Sequence, residues 1–331
     1  MKAIEVTAFG DADTIEVVER DVPEPREGQV RIDARAIGVN FADIMQRRGH
    51  YQGGPTPPYV PGMEVAGVVD AVGEGVDGFA EGDRVVGMVG RSGYAEYAVA
   101  DADGLFDVPE GMSFEEAAGF PVQFLTAHNC LFEWGGLESE AEGENEGKRV
   151  LIHAAAGGVG TAAVQLASEA GAEVFGTAST AEKLDLAADL GCDHPINYVE
   201  ADFAEEVSEI TDGEGVDLVL DGVGGETTER SLDCLAHFGR MVVYGAASGE
   251  PGRPDTATLL FNNFEVVGYH LGQGLQRDPQ RVLRAVPHLT ELLTAGDLSV
   301  QVGHTFPLAD AADAHRAIEN RETSGKVVLV P

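Results

Sequence analysis

Apolar and polar positions alternate in short stretches over the first third of the chain, and then the period changes. Residues 3–9, 29–36, 64–72, 83–88 and 95–99 are short alternating or apolar runs, separated by turns such as Val22-Pro23-Glu24-Pro25 and Gly53-Gly54-Pro55. Period-2 runs bounded by Gly and Pro predict β-strands, and many short strands in succession predict a barrel-like or sandwich domain to about residue 122. From Arg149 onward an apolar strand, a glycine turn and a helix recur. Strands are predicted over 149–153, 172–177, 216–221, 240–244 and 264–269, with helices over stretches such as 161–170 and 182–190. This alternation predicts a parallel sheet with helical crossovers, a doubly wound α/β domain. Helices are predicted over 277–295 and 308–321. A last strand over 326–330 is too short to stand alone and is expected to return to the first domain.

One turn carries candidate chemistry. Val150-Leu151-Ile152-His153 is an apolar strand, Ala154-Ala155-Ala156-Gly157-Gly158-Val159-Gly160 is the turn, and a helix opens at Thr161. Gly157 lets the backbone approach a pyrophosphate, and Gly160 lets the helix pack close to the strand. The helix N-terminus supplies unpaired N–H groups for phosphates. Ala155 stands where the usual G-x-G-x-x-G has its first glycine. The next strand ends Phe175-Gly176-Thr177-Ala178-Ser179, without the acid that would hold a free ribose 2′-hydroxyl, and Lys183 follows in the next turn. A cation beside hydroxyls suits a 2′-phosphate, so the turn is expected to bind NADPH.

Composition narrows the partners. The formal net charge is −36 over 331 residues. Such a chain repels nucleic-acid backbones and anionic lipid surfaces, so neither nucleic acid nor membrane is an expected partner. No run approaches the length of a membrane span, and Met1-Lys2-Ala3-Ile4-Glu5-Val6 lacks a signal-peptide design, so a cytoplasmic protein is expected. Cys130, Cys192 and Cys234 lie far apart in sequence and are expected to be reduced buried thiols. Lysine stands only at 2, 148, 183 and 326, and the acid is spread along the chain. Self-repulsion of this size is screened at molar salt, where the Debye length is about 3 Å, so a salt-adapted protein is expected. The run Leu137-Glu138-Ser139-Glu140-Ala141-Glu142-Gly143-Glu144-Asn145-Glu146-Gly147-Lys148 is expected to be a solvated loop.

Taken together, several blocks resemble the zinc-independent quinone oxidoreductase branch of the medium-chain dehydrogenase/reductase superfamily, the zeta-crystallin and VAT-1-like group. They are GVNFADIMQRRGHY (38–51), PGMEVAGVV (61–69), AVGEGV (71–76), GDRVVG (82–87), HAAAGGVG (153–160), HPINY (194–198), VDLVLDGVGG (216–225), GYHLG (268–272) and SGKVVLVP (324–331). The acidic run at 138–148 is the main departure. The resemblance implies a GroES-like catalytic domain over 1–123 and 271–331, a Rossmann NADP-binding domain over 124–270, and NADPH as cofactor. It places Ala156, Gly157, Gly158, Val159 and Gly160 on the pyrophosphate, and Ser179, Lys183 and Tyr198 on the 2′-phosphate. Asn40, Thr126 and Gly245 fall on the nicotinamide side, and Arg321 and Lys326 near the cofactor.

Zinc-dependent members of the superfamily carry Cys where Asn40 stands and His where Met63 stands, with a third ligand near Val122. Amide, thioether and valine do not build a tetrahedral zinc site, so no metal is expected, and Glu64 reads as a structural carboxylate. Without a Lewis acid, a conjugated acceptor is the expected substrate, because hydride arrives at one carbon while charge moves to a distant oxygen. Asn40, Tyr51 and Thr126 are the candidate catalytic residues. The expected function is reduction of a quinone. Reduction of α,β-unsaturated aldehydes or ketones, or cofactor binding without turnover, are the alternatives. A homodimer through the apolar run 264–269 at the sheet edge is also expected.

Overall fold

In the computed structural model, residues 1–138 and 145–331 are described, so the centre of the acidic run lies outside the described residues. In chain order the elements are β1 (Lys2–Val6), β2 (Ile15–Glu19), β3 (Gln29–Val39), α1 (Phe41–Arg47), β4 (Glu64–Val72), β5 (Arg84–Met88), β6 (Tyr97–Asp101), β7 (Leu105–Asp107) and α2 (Phe114–Ala117). Then follow α3 (Pro121–His128), β8 (Arg149–Ile152), α4 (Gly158–Glu169), β9 (Glu173–Ala178), α5 (Ala181–Asp189), β10 (His194–Asn197), α6 (Phe203–Ile210), β11 (Val216–Asp221), α7 (Glu226–Ser231), β12 (Leu235–Val243), α8 (Thr256–Asn262) and β13 (Glu265–Gly268). The chain closes with α9 (Leu271–Arg277), α10 (Pro279–Leu283), α11 (Ala285–Ala295), β14 (Val302–Pro307), α12 (Ala311–Glu319) and β15 (Lys326–Val330).

Contacts divide the chain into two units, Met1–Val122 with Val300–Pro331, and Gln123–Ser299. The first is built on a sheet ordered β14-β15-β3-β4-β5-β7, with β6 also on β3. β3 is long enough, at 11 residues, to take β6 on its first half and β15 on its second. The last strand therefore returns to the first unit, as its sequence demanded, with Val327, Val328 and Leu329 opposite Val39, Gly38 and Ile37. The alternation that predicted strands is the alternation that fills the core: Val30, Ile32, Ile37, Val65, Val69, Val85 and Leu329 form one buried cluster. The turn residues Gly53, Gly75 and Gly82 take positive φ, which is why glycine stands there.

The second unit is a six-stranded parallel sheet in the order β10-β9-β8-β11-β12-β13. Chain order reverses between β8 and β11, so the carboxyl ends of these two strands mark the place where such sheets bind ligands. Leu151, Phe175, Val219 and Met241 form its core with Val207 of α6 and Leu235. Cys130, Cys192 and Cys234 are free and buried, and burial raises all three thiol pKa values. No helix among the described residues is long and apolar enough to cross a membrane.

One expected boundary moves. Residues 271–299 were assigned with the first domain, but α9–α11 pack within the second unit. Asn129 Nδ2 donates to the Val282 carbonyl at 3.1 Å, His128 Nε2 lies 3.1 Å from His288 Nδ1, and Gln165 Nε2 donates to the Ser299 carbonyl at 3.1 Å. The single helix predicted over 277–295 is broken. Asp278 caps α10 by accepting from the Arg281 N–H, and Pro279 sits in that helix's first turn, where its missing N–H costs nothing.

The charge imbalance shows in the ion pairs, where one guanidinium often serves two carboxylates. Arg149 meets Glu173 and Glu214, Arg230 meets Asp202 and Asp233, and Arg316 meets Asp13 and Asp313. The chain carries 57 acids against 21 lysines and arginines, so acids outnumber the cations that could pair with them, and raising KCl from 0.1 to 2 M is expected to raise the melting temperature by about 5–10 °C, equivalent to ~2–3 kcal/mol. Equal melting temperatures at the two salts would remove the salt-adapted reading. β13 is the last strand of its sheet, paired on one side only, and exposed Leu260 (72%) and Phe261 (78%) flank it on α8. The expected homodimer would pair this edge. Light scattering in molar salt is expected to give a dimer, and a monomer there would overturn that expectation.

Candidate functional site

At the switch point of the parallel sheet, the turn after β8 is built for close approach. Ala154 adopts φ 53°, and the Gly157 N–H donates back to its carbonyl at 2.8 Å. Gly157 is the N-cap of α4 and provides no side-chain cap, so the opening N–H groups of this 12-residue helix are left for a ligand. A Cβ at Gly160 would stand 2.2 Å from the Ala154 carbonyl oxygen, so only glycine lets the helix start here. A Cβ at Gly158 would fall 1.8 Å from Gln123 Nε2. Gln123 thus lies across the helix start, a neighbour that no sequence signal marked. Alanine is tolerated at 155 because the facing strand yields room: a Cβ at Gly176 would lie 2.9 Å from the Ala155 methyl. Ala156 is buried behind the turn.

Two buried groups brace this turn. His153 is 1% exposed, with Nδ1 3.0 Å from Thr177 Oγ1 and Nε2 2.8 Å from Ser231 Oγ, tying β8 to β9 and α7. Burial lowers its pKa to about 4, so it is a neutral crosslink. At the end of β11, fully buried Asp221 accepts from the Val223 and Gly224 N–H groups at 2.8 and 3.0 Å and from Thr228 Oγ1 at 2.5 Å. It shapes the turn against which Gly245 packs: a Cβ at 245 would meet the Gly222 carbonyl at 2.7 Å.

The expected phosphate-reading residues meet at the carboxyl ends of neighbouring strands. Ser179 directly follows β9, Tyr198 directly follows β10, and the Tyr198 N–H donates to the Ala178 carbonyl at 3.2 Å. Lys183 lies in the first turn of α5, its N–H held by the capping Thr180 hydroxyl at 3.4 Å. No carboxylate stands on Ala178, Ser179 or Thr180. The donor set therefore fits a dinucleotide whose ribose carries a phosphate. Thr126 is buried on α3 in the same unit.

Asn40, Tyr51, Arg321 and Lys326 fall in the first unit. There Asn40 caps α1, its N–H donating to Asp43 Oδ2 at 2.9 Å. Its side chain is held at both ends: Nδ2 donates to Glu64 Oε1 at 2.8 Å, and Oδ1 accepts from Lys326 Nζ at 3.0 Å. Lys326 also pairs directly with Glu64, both side chains being fully buried, and the Val122 N–H donates to Glu64 Oε2 at 2.9 Å. Gly38 makes this possible, since a Cβ there would lie 2.5 Å from Glu64 Oε1. Lys326, expected near the cofactor, lies inside the first unit with its ammonium on Glu64 and Asn40. Arg321 is exposed and ends α12 in a left-handed conformation, φ 59°. Tyr51 is half-buried in the loop after α1, and burial raises its pKa. Among the described residues, no cluster of three or more His, Cys, Asp or Glu side chains is arranged to hold a metal.

Below this triad lies a second buried network that the sequence did not signal. Tyr94 donates its hydroxyl to Asp43 Oδ2 at 3.1 Å and lies 3.1 Å from His315 Nε2. Burial pushes the Asp43 carboxyl up to about 6 and the His315 imidazole down to about 3. Buried Arg47 pairs with Glu319 beside them.

A Rossmann sheet with a glycine-opened helix at its switch point, joined in one chain to a GroES-like sheet, defines a medium-chain dehydrogenase/reductase. Two family descriptions match: "Alcohol dehydrogenase GroES-like domain" over residues 26–110 and "Zinc-binding dehydrogenase" over residues 158–288. The chain is 36% identical to a quinone oxidoreductase of Pseudomonas aeruginosa, covering 100% of this chain and 99% of that protein. It is 38% identical to the synaptic vesicle membrane protein VAT-1 homolog of Rattus norvegicus, covering 100% of this chain and 84% of that protein. The structure of Escherichia coli quinone oxidoreductase complexed with NADPH superposes with a TM-score of 0.92 at 35% identity, covering 100% of both chains. The chain belongs to the quinone oxidoreductase family of the medium-chain dehydrogenases/reductases.

Proposed function

We propose that the chain is an NADPH-dependent oxidoreductase that reduces a quinone without a metal. The observation that carries this reading is the uncapped glycine start of α4 at the sheet's switch point, beside a β9 terminus free of acid and flanked by Ser179, Lys183 and Tyr198. The bound dinucleotide supplies the hydride. Gly157 lets the pyrophosphate approach, the N–H groups of residues 158–160 hold it, and Ser179, Lys183 and Tyr198 hold the 2′-phosphate. Gly245 keeps the backbone after β12 low enough for the nicotinamide side. Asn40, Tyr51 and Thr126 orient the acceptor.

A quinone needs little polarisation, because the charge brought by hydride is delocalised onto an oxygen that one or two hydrogen bonds can stabilise. The metal-free reading rests on donor chemistry. Positions 40, 63 and 122 offer an amide, a thioether and an alkyl group. The carboxylate beside them, Glu64, is already neutralised by Lys326.

The test is NADPH oxidation in 2 M KCl across a panel of quinones and α,β-unsaturated aldehydes, with and without chelator. Quinone-dependent oxidation unaffected by chelator is expected. NADPH should be preferred over NADH by about tenfold to a hundredfold, the worth of a charge-assisted hydrogen bond of roughly 1.5–3 kcal/mol. Lys183→Ala should erase most of this preference by weakening NADPH alone. Equal use of NADH, or a variant that weakens both cofactors alike, would overturn the phosphate assignment. Turnover of enals with none of quinones would replace the substrate class.

A further inference from the structure

The second unit holds a groove that the hydride-transfer reading does not use. It has a volume of about 420 Å3 and lies along the start of α9 and α10, beside the ends of β12 and β13. Trp134 and Tyr269 form an aromatic wall, edge to face with ring centroids 4.8 Å apart. The Arg281 guanidinium stacks 4.2 Å over the Trp134 ring. Gly268 opens the floor, since a Cβ there would meet nothing within 4 Å.

Two features set this groove apart in so acidic a chain. First, Arg277 at the end of α9 and Arg281 in α10 line the groove, with Arg284 just beyond, and the acids bonded there are Glu133 and Asp278. Glu133 is shared between Arg281 at 2.7 Å and Arg284 at 3.5 Å, and Asp278 accepts from the Arg281 N–H as the cap of α10. Arg277 has only Gln273 Oε1, at 3.3 Å from its Nε, and no carboxylate among the described residues. The groove is thus locally cationic on a protein of net charge −36. Second, Tyr269 is 5% exposed and lines the groove, yet its hydroxyl makes no hydrogen bond of normal geometry. Burial pushes its pKa up, and Asn129 offsets this only in part. A buried hydroxyl without a proper partner costs about 1–3 kcal/mol unless a ligand or water completes it.

We propose that this groove binds a small planar carboxylate, an aromatic or conjugated acid. Its π-system lies against Trp134 and Tyr269, and its carboxylate is held by Arg277 and Arg281. Guanidinium is the side chain suited to a carboxylate, because its planar fork matches two oxygens. A planar ring suits the aromatic wall, and one negative charge is repelled less by the surrounding acid than two. Tyr269 donates its unused hydroxyl to the same acid.

Trp134 is the chain's only tryptophan, so its emission reports the groove directly. The full chain in 2 M KCl is titrated with benzoate and with benzamide, its neutral isostere, exciting at 295 nm. Benzoate should produce a saturable change and bind at least tenfold more tightly than benzamide. Arg277→Gln, a surface substitution whose fold is checked by near-UV circular dichroism, should weaken benzoate at least tenfold and leave benzamide unchanged. Tyr269→Phe should weaken benzoate several-fold. No saturable change, equal affinity for the two probes, or an Arg277→Gln variant that binds benzoate normally would each overturn the proposal. The titration contains no dinucleotide and no turnover, so its failure leaves the hydride-transfer reading intact.

Discussion

Lowering the pH from 7 to 5 is expected to remove about 4–5 kcal/mol of folding stability, a large share of the 5–15 kcal/mol a typical domain has. The cause is a set of three buried imidazoles. Burial lowers His128 and His315 to about 3 and His153 to about 4. In the unfolded chain each titrates near 6.5, so the unfolded state binds the protons first. Their stabilisation is therefore present above the unfolded value and lost as pH falls below it. Between pH 7 and 5 this amounts to about 2 kcal/mol each. Asp43 works the other way. Its carboxyl, pushed up to about 6 by burial, takes a proton in the folded state first and returns about 1 kcal/mol over the same interval. Asp202, held down chiefly by its hydrogen bond from Arg230, contributes its loss only at lower pH. Denaturant titrations at pH 7, 6 and 5 in constant KCl measure the profile. His128→Phe keeps the packing against Phe132 and should remove about 2 kcal/mol of the pH dependence. A flat profile, or an unchanged slope in the variant, would show that these imidazoles do not set the acid limit.

Most of the architecture was written in period and glycine placement. β4, β11 and β15 run over 64–72, 216–221 and 326–330, the stretches their alternating and apolar patterns predict. β12 begins at Leu235, five residues before its predicted start. Its opening residues Ala236, His237 and Phe238 are not buried and break the apolar pattern. β10 carries only Ile196 as a buried apolar side chain, being an outer strand, and periodicity alone passed over it. β2 and β7 were missed for a similar reason: β2 buries no residue, and β7 has three. The break of the predicted 277–295 helix was announced by Pro279, but the Leu and Val positions on both sides keep helical spacing and masked it.

The glycine turn after β8 was legible because local chemistry fixes it, with the strand, the glycines and the helix lying consecutively. What lay across long sequence distances was not. Gln123 over Gly158 and the Tyr94–His315 contact join residues that no local pattern connects. Lys326 shows the limit most clearly. The resemblance placed it near the cofactor, and no local pattern named its partners. Its partners, Asn40 and Glu64, stand 286 and 262 residues away in sequence.

That partnership gives the largest expected effect of a single substitution. Lys326→Met is expected to cost about 3–5 kcal/mol, because it leaves Glu64 as an uncompensated charge at a fully buried site. Glu64 would keep its bonds from Asn40 Nδ2 and the Val122 N–H, so the carboxylate cannot simply turn to solvent. Both partners are buried, so molar salt should leave the difference unchanged, in contrast to the surface pairs. Glu64→Gln should also destabilise, by stranding the ammonium. The double variant Lys326→Met with Glu64→Gln should cost well under the sum of the two singles, because neither buried charge remains. Denaturant titration of the four proteins measures the coupling. A Lys326→Met cost below about 1 kcal/mol, or additive singles, would mean that the ammonium and carboxylate do not stabilise one another. A strong coupling would make the pair the reason Asn40 is held with its amide at one orientation, since Lys326 accepts no alternative to the Asn40 oxygen and Glu64 none to its nitrogen.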